Sequence, residues 1–156
     1  MKGEQTTEAR SKEQNRYITT CLAKIARALV GDDEERRQKG LRALSTAHPA
    51  LARRLAERLV PKLQRGDDEV RRRAQFALMA AGKFAVPAVA LAAVKSRVPG
   101  FHLLAIEVLL AVGLGLGESD RTVILVALID LLRADREKQV RDAAFAALMA
   151  LRAEAG

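Results

Sequence analysis

The chain has 156 residues, 49% hydrophobic and 29% charged, with 3% aromatic and no tryptophan, a balance that fits one domain with a sizeable apolar core and excludes a disordered polymer. Ala, Leu, Arg and Glu dominate and β-branched residues are mostly isolated valines, so the composition points to an all-α fold. The net charge of +8 is uneven, with 21 Lys/Arg against 11 Asp/Glu over residues 1–99 and 6 against 8 over residues 100–156, which assigns any surface for an acidic partner to the first two-thirds.

In chain order, residues 1–12 are expected to form a polar, mobile segment ahead of a single domain spanning 13–156. "MKGEQTTEARSKEQNRY" has no apolar signal-peptide core. Helices are expected near 13–30, 34–46, 50–64, 68–81, 85–96, 101–113, 121–133 and 137–153. Cys21, the single cysteine, excludes an intramolecular disulfide and a Cys-built zinc cage, and reads as an apolar helix residue. Asp32–Glu35 and Asp67–Glu69 sit where helix starts favour anions; successive helix positions diverge by about 100°, so these carboxylates read as caps, not one ion site. Leu51, Leu55, Leu59 and Leu63 make one stripe, started by Pro49 and expected to kink at Pro61. Val70, Ala74, Ala77, Leu78 and Ala81 make another. Gly82, Gly100 and Gly113 are placed at stops or turns, and Ser119 or Asp120 is expected to cap the next helix. The longest apolar run, 123–129, is far too short to cross a bilayer, and a cytoplasmic location with no membrane role is expected.

The chain repeats itself. "AQFALMA" at 74–80 returns as "AFAALMA" at 144–150, "AIEVLLAVG" at 105–113 aligns with "AQFALMAAG" at 74–82, and "GDDEERRQKGLRAL" at 31–44 matches "GDDEVRRRAQFAL" with one extra residue. Offsets of about 34, 31 and 39 residues suit two helices and two turns. "LVPKLQRGDDEVRRRAQFALMAAG" and "LIDLLRADREKQVRDAAFAALMAL" resemble the HEAT repeat over roughly residues 31–153. The resemblance implies a right-handed α-solenoid of about four HEAT-like helix pairs. It also implies a ladder in which a turn Asp meets the Arg after a Val. Asp135 and Arg141 have that spacing, Arg71 would need Asp67 or an acid elsewhere, and Phe101, His102 and Ser96 break the pattern in the third unit.

Motifs for chemistry are few. "AVGLGLGESD" (Gly113, Gly115, Gly117) follows a helix and lacks the spacing of a phosphate loop. His48 and His102 are the only histidines and form no metal-ligand spacing. No catalytic residues, metal or cofactor are therefore expected. HEAT-like DNA glycosylases and phycobilin lyases make an enzyme or lyase subunit the least favoured reading, since the former lean on Trp-lined pockets.

The remaining signal is basic. Arg54, Arg58, Lys62 and Arg65 form an i, i+4, i+8, i+11 ridge with Arg53 beside it, and Lys95 and Arg97 end the next second helix. By the resemblance, second helices line a concave surface. The expectation is a non-enzymatic interaction module or scaffold presenting these seven cations to an acidic protein, with nucleic acid as the alternative. Phe145 and Met149 are read either as packing against the preceding unit or as an apolar patch for another chain.

Overall fold

The computed structural model describes residues 2–134 and 137–155, with side chains described from 6 to 134 and 137 to 154. It is all-helical: α1 (Lys2–Val30), α2 (Glu34–Thr46), α3 (Pro49–Arg65), α4 (Asp68–Ala81), α5 (Val86–Lys95), α6 (Phe101–Leu114), α7 (Glu118–Ala134) and α8 (Lys138–Ala155), with a 3₁₀ turn at Gly82–Phe84. No strand occurs among the described residues.

The caps follow from the acidic turns. Asp33 accepts a hydrogen bond from the Arg36 amide at 3.1 Å and Asp67 from the Val70 amide at 2.9 Å, each satisfying a helix-start donor worth about 1 kcal/mol. The two caps are 34 residues apart, as are Leu44 and Leu78. Asp32 is thus the extra residue of the first turn. His48 caps α3 through Nδ1, 3.2 Å from the Ala50 amide, with Pro49 supplying a preset φ at the first helical position. Gly82 ends α4 at φ 61° and Gly100 precedes α6 at φ 77°, conformations that disfavour a side chain.

Each helix start is followed by a buried stripe. Leu55, Leu59 and Leu63 of α3 and Ala74, Ala77, Leu78 and Ala81 of α4 are buried, and Leu51 lies at the exposed edge. Burying each such leucine contributes about 1.5–3 kcal/mol. Antiparallel pairs pack as α1/α2, α3/α4, α5/α6 and α7/α8. The odd helices also pack in succession, α1 on α3 on α5 on α7, as do the even ones, α2 on α4 on α6 on α8. Two layers result, with the shared core between them.

Several boundaries differ from expectation. Residues 2–12 extend α1 instead of preceding it. They offer no breaker after Gly3, and the Lys12 ammonium lies 3.0 Å from the Glu8 carboxylate one turn away. α7 begins at Glu118, so Ser119 and Asp120 lie inside its first turn and do not precede it. Gly113 is not a stop: it is buried within α6, and a Cβ there would lie 2.9 Å from Leu151 of α8 and 3.3 Å from Ile124 of α7. The missing side chain permits close packing of three helices. As expected, Pro61 lies inside α3, at an exposed position where water can reach the carbonyl left without a partner.

Candidate functional site

Arginines divide into those used inside the fold and those left facing outward. Arg71 donates to the Gln64 carbonyl at the end of α3, at 2.8 Å, while its Nε is buried without a partner. Its partner is a backbone carbonyl, not Asp67, because the end of α3 presents unsatisfied carbonyls to that side chain. Arg37 occupies the matching position and donates to the Gly31 carbonyl at the end of α1. These two arginines thus tie α2 to the end of α1 and α4 to the end of α3. Asp135, the other expected rung, falls outside the described residues.

Arg73 is not solvated charge. Its side chain is 19% exposed and its guanidinium reaches Asp32 at 2.9 Å, Glu69 at 3.1 Å and the Val30 carbonyl at 3.3 Å. The hydrogen bond from Arg73 and its charge hold the Asp32 carboxyl below the usual carboxylate range, and the same bond pushes the Arg73 guanidinium up. Arg72 pairs with Glu69 in the open and adds little.

Arg121 carried no sequence signal, and it is the deepest cation. It is 8% exposed. Its Nε donates to the Gly113 carbonyl at 2.8 Å and Nη1 to the Leu151 carbonyl at 3.3 Å, with Glu154 3.6 Å away. The start of α7 is thereby fastened to the ends of α6 and α8. Gln75 makes a comparable tie from α4 to α6, through the Glu107 carboxylate and the Leu104 carbonyl.

The predicted ridge contrasts with these. Arg53, Arg54, Arg58, Lys62 and Arg65 all lie on α3, and none of their side chains makes an ion pair or hydrogen bond among the described residues. Arg54, Arg58 and Lys62 are half-buried, so their stems cover apolar neighbours while their heads remain outside. Arg53 is turned toward the α4–α5 bend, with its guanidinium carbon 5.8 Å from the Phe84 ring centre, and Lys83 lies 5.5 Å from the same ring.

Lys95 and Arg97 are exposed but occupy a separate place. They line a cleft of about 540 Å³ formed by the end of α5, the start of α6 and the end of α7, together with His102, Asp130 and Glu137. None of its lining residues belongs to α3. The structure therefore groups five of the seven predicted cations on one helix and places the other two beside acids. Among the described residues no three His, Cys, Asp or Glu side chains gather as metal ligands.

Sequence reading missed the apolar neighbour of the ridge. Leu91 and Val94 on α5, and Val123, Val126 and Ile129 on α7, are exposed. α3, α5 and α7 belong to one layer, so an unpaired basic helix is followed by two helices with uncovered apolar side chains. The all-round apolar character of "VILVALIDLL" was the available signal; it shows excess apolar residues but not which ones face out. No single helix among the described residues is long and apolar enough to cross a membrane; α4 with its 3₁₀ turn and α5 pass only as a pair, bent by 117°.

No protein-family model matches the chain. A search of curated proteins finds no matching relative.

Proposed function

We propose that this chain is a non-enzymatic protein-interaction module, a right-handed α-solenoid of about four HEAT-like helix pairs whose odd-numbered layer docks an acidic partner. The solenoid reading is supported by the acidic turns repeating at 34 residues and by the successive contacts within each layer. The observation that carries the functional reading is the set of cations on α3 that the fold itself does not use. Arginines at 37, 71, 73 and 121 are all engaged internally, whereas the side chains of Arg53, Arg54, Arg58, Lys62 and Arg65 have no acidic or carbonyl partner among the described residues. Exposed Leu91, Val94 and Val126 on α5 and α7 of the same layer favour a protein surface that brings both carboxylates and apolar groups over a single-stranded nucleic acid, whose bases would call for stacking aromatics. Preorganised docking on rigid helices is the mechanism, with the charge steering encounter and the apolar area holding the complex.

The test compares affinity capture from native lysate by the wild-type chain and by Arg54→Glu/Arg58→Glu. An acidic protein retained by the first and lost by the second is the expected result. An unchanged partner in the double variant means that α3 is not the docking surface. Binding of any DNA or RNA, irrespective of sequence and falling steeply with salt, would transfer the same helix to nucleic acid.

A further inference from the structure

α8 leaves one face uncovered. Its buried positions, Val140, Ala144, Ala147 and Leu151, belong to the core it shares with α6 and α7. A second stripe, Asp142, Phe145, Met149 and Arg152, follows steps of three, four and three residues and therefore shares one face of the helix. Phe145 is 55% exposed and Met149 48%. Asp142 and Arg152 are exposed, and their side chains make no ion pair or hydrogen bond among the described residues.

The aligned positions of α4 and α6 are covered. Gln75 and Met79 of α4 are half-buried, with the Gln75 amide tied to α6, and Ile106 of α6 is buried with Leu110 half-buried beside it. Only α8 presents the corresponding pair as large apolar side chains in the open. The stripe is also symmetric about residue 147: Phe145 and Met149 are equidistant from it, as are Asp142 and Arg152.

We infer that two copies of this chain associate through α8, antiparallel about a two-fold axis near residue 147. Each Phe145 meets the other copy's Met149, an aromatic–thioether contact, and each Asp142 meets the other copy's Arg152. A self-complementary patch of this kind closes as a pair. Head-to-tail stacking on α2 lacks an apolar counterpart, because every exposed residue of that helix is polar, Arg36, Gln38, Lys39 and Arg42 among them. Charge permits the contact as well. Residues 100–156 hold 6 basic and 8 acidic side chains, and the strongly basic portion lies in residues 1–99. An 18-residue helix is about 27 Å long. One such helix pair belongs with the small, weak interfaces below roughly 1,200 Å², and the inferred dissociation constant is on the order of 100 μM. The inference stands independently of the α3 docking surface.

Sedimentation equilibrium of the full chain tests it. The weight-average mass should climb from one copy toward two between about 10 and 500 μM. Phe145→Glu should remain a monomer throughout with unchanged helical circular dichroism. Asp142→Arg should weaken the pair about tenfold by facing like charges, and Asp142→Arg/Arg152→Asp should restore it. A wild-type chain that stays monomeric at 500 μM overturns the inference, as does a dimer indifferent to Phe145→Glu. Failure of the double swap to restore what Asp142→Arg loses overturns the antiparallel register.

Discussion

Arg121 shows how much of the fold depends on a few cations whose sequence neighbourhood is ordinary. Its partners are backbone carbonyls 8 and 30 residues away, so no local motif announces it; only tertiary packing brings Gly113 and Leu151 to its guanidinium. Arg121→Met should cost about 2–4 kcal/mol in urea unfolding, since carbonyls in a buried place lose charged donors. Glu154→Gln, at the exposed end of the same cluster, should cost less than about 1 kcal/mol. Equal losses would show that the ion pair, not the carbonyl bonds, holds the junction. Asp32 is the second case. Its carboxyl titrates below its unfolded value because Arg73 donates to it. The stabilisation is therefore present above the unfolded carboxylate pKa, near about 3.9, and fades as pH falls through the lower folded value. Asp32→Asn should lower the melting temperature at pH 7, and the gap from wild type should narrow as the pH falls below the unfolded carboxylate value and close once Asp32 is protonated in the folded chain. A gap that persists there would assign the effect to something other than this charge.

At the scale of elements, helix positions were legible because each turn carries its own chemistry. Asp33, Pro49, Asp67 and Gly82 each act within a few residues, and apolar spacing did the rest. Gly113 misled because a glycine that ends a helix and one that lets two helices touch look alike in sequence; the difference lies in Leu151, 38 positions later. Arg73 gives no local sign of its role for the same reason, its acid being in the turn of an earlier hairpin. Pro61 remains a local conflict inside α3, where it removes a donor and stiffens an exposed turn. Pro61→Ala should raise stability by about 1–3 kcal/mol, read as a higher urea midpoint at constant slope. A lower midpoint would show that restriction of the unfolded chain by proline outweighs the helix defect.

For the whole molecule, the layering separates two surfaces. The α3 cations and the α5–α7 apolar side chains lie in the odd-numbered layer, whereas Phe145 and Met149 lie on an even-numbered helix. Charge variants of α3 and apolar variants of α8 should thus act independently, which makes the two experiments separable. The basic ridge was legible because four of its members follow helical spacing. Its detachment from Lys95 and Arg97 was not, since helix-end direction is a property of packing and not of the letters.

α1 carries a different consequence. From Ile18 onward it is anchored by Leu22, Ala26 and Leu29, while residues 6–17 touch solvent on every side. A polar peptide of that length is a marginal helix by itself. Here the anchored half serves as its nucleus, and each further turn is added at the low cost of propagation. The result is a cantilever about 24 Å long from residue 2 to 17, unwinding from the end far from Ile18 toward the anchored half as temperature rises.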